Sequence, residues 1–116
     1  MSQIHYQVED LNWQELREFP GIGEVKVLRD SPKSGAKTMI VKLPPGGRVE
    51  PHSHPAVVQH YVLEGEYEQQ GKTYARGAYR MLPQHADMSE ITTGQGATVL
   101  MIYDPSYETS EKGSKE

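Results

Sequence analysis

Short segments rich in β-branched and aromatic residues, separated by turn residues, constrain the fold of this chain most strongly. Regularly spaced segments of this kind predict β-strands. Each break between them contains glycine, which allows positive φ, and some contain proline, which fixes φ and removes a hydrogen-bond donor. In a chain of 116 residues, the pattern predicts a single all-β domain, a sandwich or barrel. The predicted strands are Glu24–Arg29, Lys37–Leu43, Val57–Glu64, Glu66–Gln70, Ala78–Leu82 and Ala97–Tyr103.

The two ends of the chain differ from this pattern. Residues 1–20 form a predicted N-terminal arm, residues 21–105 the barrel, and residues 106–116 a polar tail that we expect to be flexible. Within the arm, Asn12–Leu16 could form a short helical turn capped by Asn12, or the arm could pack on the barrel or on a partner. Its apolar residues predict that it covers a partner's sheet edge in a homodimer. These residues are Leu11, Trp13, Leu16 and Phe19.

Composition excludes several classes of protein. Acidic residues outnumber basic ones 16 to 12, and no basic block predicts a nucleic-acid partner. No apolar run reaches the roughly 18 residues of a membrane span, and the N-terminus lacks the features of a signal peptide, so we expect a cytoplasmic protein without a membrane partner. The chain has no cysteine, which rules out disulfides, thiolate ligands and thiol nucleophiles.

Histidines are the residues most suggestive of chemistry. Five occur, and His52, His54 and His60 fall within nine residues of one another. His52 and His54 lie at i and i+2 on a predicted strand, so their side chains point to the same face. Two imidazoles on one face can chelate one metal ion, whereas an isolated His-x-His pattern often occurs without metal.

The residues around this pair resemble the first motif of the cupin superfamily. Gly46, His52, His54 and Gly65 fit its spacing, and Gly77–Pro83 resembles the start of the second motif. More narrowly, the chain resembles cupins related to the metal-binding domain of the ChrR anti-sigma factor and to acetylacetone-type dioxygenases. The resemblance implies an all-β, single conical cupin β-barrel of jelly-roll type, often dimeric. It also implies one divalent metal ion inside the barrel, which could be iron, manganese, zinc or nickel.

Two ligand positions depart from the family pattern. The glutamate of the first motif would lie at Val58 or, with longer spacing, at Gln59, whose amide oxygen is a weaker donor. The histidine of the second motif would lie at Met88. His60 shares strand parity with Val58, and His85 lies three residues before Met88. The predicted metal ligands are therefore His52, His54, His60 and His85, with Val58, Gln59 and Met88 lining the pocket.

These features lead to two hypotheses for function, and whether the chain is an enzyme stays open. The first is a metal-dependent dioxygenase acting on a small dicarbonyl or organic acid, which brings the negative charge that the ligands lack. The alternative is a non-catalytic cupin that binds or senses a small ligand, with a degenerate or absent metal site. Arg48 and Arg80, strand residues with no assigned face, are expected to point outward.

Overall fold

The structure is built almost entirely of β-strands, which confirms the all-β class. A computed structural model describes residues 3–18, 20–53, 55–85 and 87–104. In these ranges no helix is long and apolar enough to cross a membrane. One 3-10 turn (Val8–Asp10) precedes the strands. The strands are β1 (Gln14–Glu15), β2 (Glu24–Ser31), β3 (Ala36–Leu43), β4 (Arg48–Val49), β5 (His52–Ser53), β6 (Val57–Gln69), β7 (Lys72–Ala75), β8 (Tyr79–Leu82), β9 (Asp87–Met88), β10 (Ile91–Thr92) and β11 (Ala97–Asp104).

The strands pair antiparallel in one curled sheet and one short ribbon. The sheet runs in the order β1-β2-β3-β11-β6-β10-β4, and β7 and β8 also pair with β6. Strands β5 and β9 form the separate two-stranded ribbon. Alternate residues of the long strands point inward, and they build one core. The fully buried members of this core include Met39, Val41, Val58, Val62 and Val99.

The two predicted strands Val57–Glu64 and Glu66–Gln70 form one continuous strand, β6, of 13 residues. This strand contains a bulge. Val62 pairs with Val99 and Glu64 pairs with Thr98, so one residue of β6, Leu63, has no counterpart on β11. An extra residue reverses which side chains face inward on the far side of the bulge. The inward set therefore changes from even to odd residue numbers along β6.

The change in parity brings two distant side chains into one interior. His60 and Tyr67 are seven residues apart and would face opposite sides of a regular strand, yet they are only 3% and 1% exposed. Gly65 follows the bulge with φ of +70°. A Cβ atom there would overlap the carbonyl oxygen of Gly96. The position therefore requires glycine for its backbone angle and for the close approach of β6 to the turn before β11.

The N-terminal arm packs on its own barrel. The helical turn predicted around Asn12–Leu16 is wrong, because Gln14–Glu15 form β1 and pair with β2 of the same chain. Leu16 is 6% exposed and belongs to the core. The arm therefore lies along the edge of its own sheet beside β2. Phe19, another apolar residue of the predicted arm contact, lies outside the described residues.

The outer face of β2 shows how the arm is held. Lys26 is 8% exposed, its ammonium donates to the carbonyl oxygen of Val8 at 2.9 Å, and it lies 4.8 Å from the centre of the Trp13 ring. Near the end of the arm, Lys37 of β3 donates to Glu18 at 2.9 Å. Burial acts to raise the pKa of Glu18, but the hydrogen bonds from Lys37 and from the Arg17 backbone, together with the charge of Lys37, outweigh it, and the pKa is lowered.

Candidate metal centre

A small cavity lies inside the barrel at the place where the β5–β9 ribbon meets the main sheet. Its volume is about 10 Å³, which is room for roughly one water molecule or one ion. Two imidazoles and two thioethers are among the groups that line it, and none of the described carboxylates does. The lining residues are Val49, His52, His60, Met88, Ile91, Met101 and Tyr103.

His52 is half-buried on β5, and one of its ring nitrogens is fixed by the backbone. Its Nδ1 lies 2.9 Å from the carbonyl oxygen of Glu50. A carbonyl oxygen can only accept, so Nδ1 carries the proton and donates it. In the neutral ring, Nε2 then carries the lone pair that binds metal. Histidine ligands in metal sites are commonly oriented by such a bond to a backbone carbonyl.

His60 is buried on β6 and is held by a phenol. Its Nδ1 lies 2.8 Å from the hydroxyl oxygen of Tyr67, and the two rings meet edge to face with centres 5.9 Å apart. The guanidinium of Arg80 donates to the same hydroxyl oxygen at 3.1 Å. The parity argument that placed His60 on the inward face with Val58 therefore agrees with the structure.

Arg80 points inward, so the prediction that it faces solvent is wrong. It is the register partner of His60 on β8. Its Nη1 also donates to the Gln69 side chain at 2.8 Å, and its guanidinium lies 4.0 Å from the centre of the Tyr74 ring. Burial raises the pKa of Tyr67, although the hydrogen bond from Arg80 opposes this, so the phenol stays protonated at neutral pH. Arg48 does face outward, where it pairs with Glu50 and Glu90.

Met88 lies in the cavity at the position where the family pattern expects a histidine. It is 5% exposed and is the register partner of His52 across the β5–β9 ribbon. Val58, at the expected glutamate position, is fully buried and belongs to the apolar core. Neither position supplies a hard donor to the cavity.

The other predicted site residues lie elsewhere. Gln59 is on the opposite face of β6 from His60, where its amide oxygen accepts a hydrogen bond from the Tyr79 hydroxyl at 2.6 Å, so its predicted place in the pocket is wrong. His85 is exposed in the turn before β9, with φ of +59°, and does not line the cavity. His54 lies outside the described residues, so its predicted ligand role is neither supported nor opposed by the geometry.

Histidine and carboxylate side chains of the described residues do not by themselves form a complete metal-binding site. Nowhere in residues 3–18, 20–53, 55–85 and 87–104 do three or more histidine, aspartate or glutamate side chains converge as metal ligands. The cavity receives His52 and His60 from this part of the chain. The imidazoles fit a metal ion, whereas no described residue beside them takes the place of the carboxylate of the family pattern.

Sequence reasoning did not single out two residues that line the cavity. Met101 and Tyr103 lie on β11, in register with His60 and Val58 respectively. Both could have been found from the alternation of side chains along the predicted strand Ala97–Tyr103, because residues two and four positions after an inward Val99 also point inward. Burial raises the pKa of Tyr103 well above its usual value, and the charge of Glu18 acts in the same direction, so this phenol is also neutral at neutral pH.

Comparison with known families decides the classification. The profile described as the ChrR Cupin-like domain matches residues 1–106. This chain belongs to the ChrR cupin-like family. The predicted membership of the cupin superfamily is thereby confirmed. No curated protein matches this ChrR-like cupin significantly.

Solved structures share the fold at low sequence identity. Acetylacetone dioxygenase from Acinetobacter johnsonii superposes with a TM-score of 0.77 and 19% identity, over 89% of this chain and 74% of that one. The polyketide cyclase RemF from Streptomyces resistomycificus gives 0.72 and 21%, over 89% and 78%. The complex of SigE with the anti-sigma ChrR from Rhodobacter sphaeroides gives 0.67 and 19%, over 84% and 52%. At these identities the likeness establishes the cupin fold.

Proposed function

We propose that this ChrR-like cupin binds one metal ion in the cavity between His52 and His60. The observation that carries the proposal is the hydrogen bond from His52 Nδ1 to the Glu50 carbonyl, because it leaves Nε2 as the nitrogen with the lone pair. We propose His54, two residues further along the chain, as another ligand, because it fits the spacing of the first cupin motif. His85 stays a predicted ligand, which requires its exposed side chain to reach the cavity.

The chemistry that we propose for this ion is dioxygenation of a small dicarbonyl or organic acid. A bound metal ion supplies open coordination positions at which an anion can bind through two oxygens. The ligands named here are neutral, so the substrate supplies the negative charge. Arg80, an interior cation joined to His60 through Tyr67, favours an anion in the same interior. The fold shared with acetylacetone dioxygenase supports this proposal.

A second candidate is a non-catalytic cupin that senses the metal ion itself. The observation that favours it is the size of the cavity, because about 10 Å³ accommodates an ion but no organic substrate beside it. Membership of the ChrR cupin-like family supports it as well. A cytoplasmic location and a homodimeric assembly are further proposals that rest on the sequence.

The experiment uses untagged protein, its metal content by mass spectrometry, and oxygen uptake with acetylacetone as the probe. We expect about one metal ion per chain and uptake that depends on the diketone, with both lost in His52→Ala. The matched control is His5→Ala, which removes an exposed histidine near the N-terminus. Metal without uptake would favour the second candidate. Failure to bind any metal after reconstitution would overturn both.

A further inference from the structure

We infer that the ion is monovalent copper, and that the thioethers of Met88 and Met101 complete its coordination by His52 and His60. The inference rests on the proposed metal binding and concerns which ion the cavity selects. It agrees with the second, non-catalytic candidate, because four protein ligands leave a cuprous ion no open position for a substrate. It replaces the divalent ion that the resemblance implies.

Two histidine–methionine pairs line the cavity from different strands. His52 is in register with Met88 on the β5–β9 ribbon, and His60 is in register with Met101 on β6 and β11. Directly opposed residues of antiparallel strands share a face, with Cβ atoms about 4.5–5.5 Å apart. Both pairs line the same cavity of about 10 Å³. Four soft or borderline donors are therefore gathered around a space for one ion.

The charge of the surroundings favours a monovalent ion. Among the described side chains no carboxylate lines the cavity, and Arg80, the register partner of His60, makes no salt bridge with the described residues. The cost of moving an ion from water into such an interior grows with the square of its charge, roughly fourfold from a monovalent to a divalent ion. A divalent ion would meet this larger cost without an anionic ligand from the described residues.

The donor atoms favour the same ion. Thioether sulfur is a poor ligand for manganese and ferrous ions, which prefer oxygen and nitrogen, but it is a good ligand for cuprous copper. Met88 occupies the position of a histidine in the family pattern, so the change is from a borderline donor to a soft one. Ligation by His60 requires its Nδ1–H to donate to the Tyr67 hydroxyl, which lies at 2.8 Å.

The test measures cuprous binding under anaerobic conditions by competition with a chromogenic chelator, together with X-ray absorption at the copper edge. We expect one ion per chain and a sulfur scattering shell. Met88→Leu and Met101→Leu should each remove part of that shell and lower the affinity by at least the roughly 10–100-fold that loss of an outer-shell partner costs. Met39→Leu is the matched control, since Met39 is fully buried but does not line the cavity.

The outcomes separate this inference from the proposed function. If wild-type protein binds one zinc or ferrous ion and takes up no cuprous ion, the inference is overturned and the proposed metal binding stands. If it binds neither, both fail. A copper spectrum without sulfur would overturn the thioether ligands, and that result comes from the wild-type protein whether or not the leucine variants fold. Equal cuprous affinity in Met88→Leu, Met101→Leu and Met39→Leu would overturn them as well.

Discussion

Substitution of Gly65 by alanine should destabilise the chain strongly, because the bulge in β6 depends on this glycine. Its φ of +70° disfavours any residue with a Cβ atom. That Cβ would overlap the Gly96 carbonyl oxygen and lie 3.1 Å from the Cα of Ala97. Both neighbours are backbone atoms: the Gly96 carbonyl accepts a hydrogen bond from the Glu66 N–H, and Ala97 pairs with Gly65. They cannot rotate away as a flexible side chain could.

The magnitude follows from these two effects. The left-handed conformation costs an alanine about 1–2 kcal/mol, and forcing additional atoms into a packed region costs about 1–3 kcal/mol more. The free energy of unfolding should therefore fall by about 2–5 kcal/mol. For a domain of 116 residues, at about 4 °C per kcal/mol, the melting temperature should drop by about 8–20 °C. Thermal unfolding followed by circular dichroism measures this drop.

Gly71→Ala is the matched control. Gly71 has a similar φ of +76°, but nothing lies within 4 Å of its missing Cβ. It therefore carries the conformational cost without the steric one, about 1–2 kcal/mol. The reasoning about the close approach of β6 to Gly96 would be refuted if Gly65→Ala were no more destabilising than Gly71→Ala.

Three further predictions follow from the hydrogen-bonded groups and the assembly. Tyr67→Phe leaves His60 and Arg80 without their shared partner and should lower the free energy of unfolding by about 1–3 kcal/mol in urea denaturation, whereas Tyr74→Phe, which loses a ring hydroxyl outside this network, should cost less. Because the pKa of Glu18 is lowered in the folded state, its pairing stabilises the fold above the unfolded pKa of about 4.3, and this stability is lost as the pH falls through the lower folded value. In Glu18→Gln the melting temperature should therefore fall less steeply with acid than in wild type. Equal slopes in the two proteins would contradict the pairing. Light scattering should give about twice the 13.0 kDa mass of one chain, and a strictly monomeric mass would refute the homodimer.

The long strands and the turns between them could be predicted because their signals are local. Predicted Lys37–Leu43 and observed Ala36–Leu43 differ by one residue, and Ala97–Tyr103 by one at its end. Strands such as β9 and β10 have only two residues each. Such short strands exist because a partner pairs with them, and two residues carry too little periodicity to indicate it.

The candidate site could be predicted only in part, for a related reason. His60 followed from parity with Val58, and Met88 from its distance to Pro83. The inward position of Tyr67 depends on a bulge whose register is set by pairing with β11. The sequence of β6 alone does not indicate where this bulge lies. Arg80 seemed a surface residue because a charge in a strand is usually solvated. Its hydrogen bonds to Tyr67 and its stacking on a tyrosine ring are tertiary features.

The central claim is that one metal ion binds in the cavity between His52 and His60. Anomalous diffraction from a crystal loaded with the metal that the protein binds in solution, collected at the absorption edge of that metal, tests it most directly. The account predicts a single strong peak in that cavity, within bonding distance of His52 Nε2 and beside Met88 and Met101. A peak confined to the exposed histidines His5 or His85, or no peak in the cavity of a loaded crystal, would contradict it.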